Sequence, residues 1–334
     1  MQIPVQHLYR KYGNPHRVVE FRIFSFNKCG AGCKNCFYQK TNNDFYDFKS
    51  AHQLAVELKK NEYCLETLYL LPTDVFENEF NYEVFNRGDF KALATQFNYI
   101  GLATALSKKP DYHFLHSFFD KYPHQGIEMH VNLKENLLFD KMYLAYLDSE
   151  VRQLKHTFKD KMILNLALNL GSSLEMSELE QIQRLVYDLS DDKILELNFT
   201  FMFNENIKLS EQSKMLQDSY PVLQYFSKAF SEVEQAYNER TLLRKPSFVF
   251  KNNSVYLTPI VPFDEYVFLN SDKYKLSDPS FESFLNVYSQ SESQNLPIIN
   301  DCESCDMFKL CYGKQFFSLA HEMKLSCVKQ KIES

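Results

Sequence analysis

Residues 18–36 read VVEFRIFSFNKCGAGCKNC. The first half predicts a β-strand over 18–26, apolar except for Glu20, Arg22 and Ser25. It runs directly into Cys29-Gly30-Ala31-Gly32-Cys33-Lys34-Asn35-Cys36, a C-x3-C-x2-C pattern. Gly30 and Gly32 allow such a loop to wrap closely around a bound group. The cysteines supply three thiolates, whereas a cubane iron–sulfur cluster has four ligand positions, and no fourth cysteine lies nearby. Structural zinc is the competing reading. It takes paired CxxC motifs or cysteine with histidine, and no histidine lies near this loop.

Outward from this stretch, strands are predicted at 66–71, 98–106, 126–133, 162–170 and 194–203. Helical patterns fall near 49–60, 82–96, 112–121, 141–158, 176–190 and 210–237. Strand–helix alternation with connections of this length implies parallel βαβ units. The expected fold class is α/β: a partial (β/α)6 TIM-like barrel over residues 1–245. In such barrels the active site lies at the C-terminal ends of the strands.

The strands also carry a polar face. Side chains alternate along a strand, so Glu128, His130 and Asn132 oppose Ile127, Met129 and Val131. Asn165 and Asn169 oppose Leu164, Leu166, Leu168 and Leu170. Glu196, Asn198, Thr200 and Met202 oppose Leu197, Phe199, Phe201 and Phe203. The apolar faces must meet the helices, which leaves the polar faces inside the barrel. A polar interior costs free energy unless its groups find partners, and so suggests a cofactor and substrate chamber. The alternative is a network that closes on itself, with Arg22 neutralising Glu128 or Glu196. Glu128, His130 and Asn198 are the candidate catalytic residues.

The chain has 334 residues, 45% of them hydrophobic, and a formal net charge of −6. No basic stripe suggests a nucleic-acid surface. No signal peptide and no apolar run long enough to span a bilayer are found, so a cytoplasmic location without membrane association is expected. Clustered cysteines in a reducing compartment are metal ligands or catalysts more often than disulfides. After residue 245 the pattern changes to a hairpin, 247–251 and 254–258, then a helix near 279–288. Cys302, Cys305, Cys311 and Cys327 follow, a full set of four thiolates for a closed cluster or for zinc. Cys64 stands alone between the first helix and the second strand, on the non-catalytic side, where a small hydrophobe is the expected role.

The C-x3-C-x2-C motif, its place after the first strand and the six βα units together resemble the radical S-adenosylmethionine (SAM) superfamily. The resemblance implies that Cys29, Cys33 and Cys36 hold a [4Fe–4S] cluster whose fourth iron is chelated by SAM. Reductive cleavage of SAM then yields a 5′-deoxyadenosyl radical that abstracts a substrate hydrogen. It further implies SAM contacts from Phe37, Tyr38, Thr73, Asp74, Asn132, Asn169 and Met202. Asn132 and Asn169 would serve the SAM carboxylate and ribose. The sequence departs from the family in two places. Asn35 replaces an aromatic residue, and Pro72-Thr73-Asp74 stands where Gly-Gly-Glu is common. Asp74 would accept from the SAM ammonium or else cap a helix.

Residues 246–334 resemble a truncated SPASM or twitch extension, with the C-x2-C-x5-C core and a more distant last cysteine. Ser254, Tyr256, Thr258 and Gln315 stand where a full SPASM domain would bring further cysteines. One auxiliary [4Fe–4S] cluster on Cys302, Cys305, Cys311 and Cys327 is therefore expected. The resemblance implies net two-electron oxidation of a peptide, as a crosslink or side-chain oxidation. Alcohol oxidation on a small molecule, redox-neutral epimerisation and a non-catalytic iron–sulfur electron carrier are the alternatives. The implied partners are a flavodoxin- or ferredoxin-type reductant and the substrate. About 15 residues precede the first strand, too few for a leader-binding domain, so a peptide is expected to need either a separate leader-binding protein or direct binding in the barrel.

Overall fold

The computed structural model describes residues 18–24, 47–77, 79–132, 140–170, 177, 180, 184, 196–201, 247–251, 254–258 and 275–292. All seven candidate cysteine ligands, together with Phe37, Tyr38 and Met202, lie outside them. Strands β1 (Val18–Phe24), β2 (Cys64–Asp74), β3 (Tyr99–Thr104), β4 (Gly126–Asn132), β5 (Met162–Leu170) and β6 (Glu196–Phe201) all pair in parallel. Strands β7 (Ser247–Lys251) and β8 (Ser254–Thr258) form the expected hairpin. The sheet order is β6-β5-β4-β3-β2-β1-β7-β8, an open mixed sheet consistent with a partial TIM-like barrel. The hairpin extends this same sheet, because β7 pairs in parallel with β1.

Helices α1 (Phe48–Lys60), α2 (Gly88–Ala94), α3 (Tyr112–Lys121), α4 (Lys141–Phe158) and α5 (Phe281–Glu292) complete the described elements. Aspartates start three of them. Asp47 accepts from Lys49 N at 3.0 Å, Asp111 from Phe114 N at 2.9 Å and Asp140 from Met142 N at 2.8 Å, each satisfying an amide the helix leaves unpaired. The helical stretch expected over 82–96 is broken in two. A 3-10 segment covers Glu79–Asn86, and the extended backbone of Arg87 separates it from α2. Strand β2 runs past its predicted end, with its β3 register interrupted between Tyr69 and Asp74. Pro72 lies in that gap, where its missing N–H costs no ladder bond.

One core cluster joins the outer face of the sheet (Phe21, Leu68, Ile100, Met129) to the helix stripes Leu54, Leu58, Leu115 and Leu147. Helix α5 adds to this layer: Phe284 packs against Phe248 of β7 at 5.2 Å, and Phe281 N donates to Glu57 Oε2 of α1 at 2.7 Å. With helices on the outer face and the six strands parallel, a site in such a fold is expected at the C-terminal strand ends.

Candidate active site

Burial alternates strictly along β4. Ile127, Met129 and Val131 are fully covered, while Glu128, His130 and Asn132 are half-buried on the other face. The strand register extends that face sideways. Gly101 lies beside Glu128, Tyr69 beside Gly101, and Arg22 beside Tyr69. On the other flank, His130 pairs with Asn165 and Asn132 with Ala167. The face expected from alternation is thus assembled across neighbouring strands.

Glu128 is its hub. The Thr67 hydroxyl donates to Oε2 at 2.9 Å, Asn165 Nδ2 to Oε1 at 2.9 Å, and His130 Nε2 lies 3.2 Å from Oε1. Thr67 and Asn165 are fully buried, and Asn165 Oδ1 has no hydrogen-bond partner. The Tyr69 ring lies flat on β3, where a Cβ on Gly101 would approach its edge carbon to 2.0 Å. His130 meets that ring edge-on at 5.4 Å, and the Arg22 guanidinium stands 5.3 Å above it. Burial, reinforced by Glu128 and Glu20 and opposed by Arg22, pushes the Tyr69 phenol well above its ordinary range, so it is a neutral donor. Arg22 also reaches Glu20 at 3.8 Å. Glu128 thus meets Thr67, Asn165 and His130, and Arg22 reaches Glu20 on its own strand.

Asp74, expected either to accept from the SAM ammonium or to cap a helix, makes local bonds at a strand end. It is buried, and its carboxylate accepts from Phe76 N at 3.1 Å, Ala105 N at 2.7 Å and the Thr104 hydroxyl. Thr104 Oγ1 in turn accepts from Leu106 N at 2.9 Å, in a turn where Leu106 adopts φ 47°. Burial nevertheless raises the Asp74 carboxyl above its usual value, against the pull of these hydrogen bonds. Tyr146 of α4 lies within electrostatic reach of Asp74 and Glu150. Its hydroxyl is buried without a partner, and desolvation pushes it up to about 12.

Asn132 ends β4 at the rim. Thr73, Asn169 and Asn198 are described as strand backbone only, Asn169 in register with Thr200 and Asn198 with Ala167. Cys64 opens β2 at the N-terminal edge, away from that rim, where Asn98 Nδ2 lies 3.8 Å from its sulfur. Sequence reading missed Thr67, Tyr69 and Gly101. An isolated glycine within a strand is itself a sign of close approach, and Gly101 carried it. No group of three or more potential metal ligands occurs among the described residues, and no described helix is long and apolar enough to cross a membrane.

No family model matches the chain, and no curated protein matches it. Among solved structures, it resembles Streptococcus suis SuiB bound to S-adenosylmethionine, at 13% identity and a TM-score of 0.51, over 94% of this chain and 75% of that one. A native anSMEcpe structure with bound AdoMet and Cp18Cys peptide aligns at 15% identity and a TM-score of 0.49, over 89% and 88%. A histidine-tagged anSMEcpe with bound AdoMet aligns at 15% and 0.48, over 89% and 85%. The SuiB alignment supports a shared α/β fold for the described sheet and helices.

Proposed function

We propose that this chain is a radical SAM enzyme that oxidatively modifies a peptide. The observation that carries the reading is the order of β1 and the cysteine motif. Strand β1 ends at Phe24, on the edge where β2 to β6 also end, and Cys29 opens the C-x3-C-x2-C segment just beyond it in the chain. The donor set fits: three thiolates leave one iron of a cubane open for a chelating ligand. Cys29, Cys33 and Cys36 would hold that cluster. Bound together, cluster and SAM supply a radical that removes a hydrogen atom from substrate. The half-buried polar face of β4 supports a chamber beside it.

The finer reading keeps the rest of the sequence argument. Residues 246–334 would carry one auxiliary cluster on Cys302, Cys305, Cys311 and Cys327, able to accept the second electron from a substrate radical. A flavodoxin- or ferredoxin-type protein would supply the first. Reduced protein that cleaves SAM to 5′-deoxyadenosine supports the reading, and failure to cleave it after anaerobic reconstitution overturns it. Reconstitution should give about eight irons per chain, falling to about four when Cys29, Cys33 and Cys36 are replaced together by alanine. Product mass then separates the chemistries: loss of two hydrogens marks oxidation, while unchanged mass with solvent deuterium marks epimerisation.

A further inference from the structure

We propose that Asp74 is a positioning residue of the C-terminal rim: it holds the main chain against which SAM binds and does not itself touch the SAM ammonium. This rests on the reading of the chain as a radical SAM enzyme and concerns how the cofactor is met at the ends of β2 and β3. Asp74 closes β2, at the end of the sheet where such folds bind their ligands. A carboxylate there could accept from an ammonium. Its surroundings are already taken.

Both carboxylate oxygens accept main-chain bonds, Oδ1 from Phe76 N at 3.1 Å and Oδ2 from Ala105 N at 2.7 Å, and the Thr104 hydroxyl adds a third. Only 6% of the residue is exposed. An ammonium arriving from solvent would have to displace a main-chain donor. A buried amide left unpaired then offsets the bond gained.

What the carboxylate does reach is three segments of the rim. Phe76 lies in the turn that leaves β2, and the Asp74 carbonyl accepts from Glu77 N at 3.3 Å within that turn. Ala105 follows the end of β3, just before Leu106 turns the chain at φ 47°. The Ala105 carbonyl accepts in turn from the Tyr143 hydroxyl, in the first turn of α4, at 2.6 Å. Asp74, Ala105 and Tyr143 thus tie the ends of β2 and β3 to the start of α4. The regular ladder does not do this, because the β2–β3 register is interrupted between Tyr69 and Asp74. This end of β2 is placed beside β3 by bonds local to the turn, Val75 N to Ala103 O at 2.9 Å and Ala105 N to Asp74. Moving that main chain alters every contact SAM makes with it, whether or not the amine is present.

The test compares SAM with its deaminated analogue, which carries hydrogen in place of the amine. Binding to the full chain is measured by equilibrium dialysis after anaerobic reconstitution. Asp74→Asn should weaken both ligands several-fold and by the same factor. Thr104→Val keeps the carboxylate and removes one of its donors, so it should weaken both less, again equally. Tyr122→Phe removes a buried hydrogen bond to Phe85 O at the far end of α3, and should lower stability while leaving both affinities unchanged. A loss confined to SAM, about tenfold or more for a lost bond to a charged group, overturns the proposal. Unchanged affinity for both ligands in Asp74→Asn overturns it as well. If Asp74→Asn does not fold, Thr104→Val decides: equal weakening supports the proposal, and a change selective for SAM or no change overturns it. SAM cleavage by the wild type is scored separately. Cleavage together with a SAM-selective loss removes this inference alone, whereas a wild type that neither binds nor cleaves SAM removes the radical reading and this inference with it.

Discussion

Asp74 and Glu128 are both carboxylates held away from water by three donors, yet they do different work. Asp74 takes two of its bonds from backbone amides and one from Thr104, whose oxygen holds the next amide of the same turn. It fixes the path of the chain where β2 and β3 end. Glu128 takes its bonds from side chains on β2, β4 and β5. It ties the inner faces of these strands together. A carboxylate satisfied by main chain clamps a turn; one satisfied by side chains joins strands distant along the chain.

The sharpest way to break this contrast is Asp74→Ala. Three buried donors would lose their acceptor at ~1–3 kcal/mol each, so the expected loss of stability is about 3–5 kcal/mol, read by urea unfolding. A loss below about 1 kcal/mol would show that the turn does not need its clamp. The pH dependence sharpens the point. Because the folded Asp74 carboxyl is raised above its ordinary value, its protonation favours the folded state. Wild type should therefore gain stability relative to Asp74→Asn as pH falls through that raised value toward the ordinary carboxylate range.

Gly101→Ala tests the inner face instead. The added methyl meets the Tyr69 ring, and the overpacking should cost about 1–3 kcal/mol while displacing the backstop of His130. A neutral outcome by thermal unfolding would mean that Tyr69 moves freely and does not hold the imidazole. Thr67→Val removes one donor from Glu128 without removing the charge, for about 1–2 kcal/mol. It should cost less than Asp74→Ala if side-chain donors matter less to folding than the clamp. The smallest effect belongs to Tyr146→Phe. Its hydroxyl is buried without a partner, so removal should leave stability unchanged or raise it by up to about 1 kcal/mol. A clear loss would reveal a bond that the hydroxyl makes in solution.

Much of the scaffold was legible because periodicity is a local property. Helices α3 and α4 fall on the residues their apolar spacing marks, and β4 shows the alternation read from Glu128, His130 and Asn132. Strand β2 is harder. Pro72 reads as an end, but a register irregularity carries the strand on to Asp74. The segment 82–96 carries a helical pattern throughout, yet the extended backbone of Arg87 divides it, with its guanidinium bound to Asp89 through Nε at 3.0 Å.

The sequence by itself determined the parallel βα order, the polar face and the cysteine spacing, since each depends only on residues close along the chain. Which strands lie side by side was decided by tertiary structure, and with it every partner that matters on the inner face. Thr67 meets Glu128 across 61 residues and Asn165 meets it across 37. No local pattern pairs such residues. Nor does any local pattern show that β7 returns to β1 or that Asp74 serves the turn after β3, because those contacts exist only once the sheet has chosen its register.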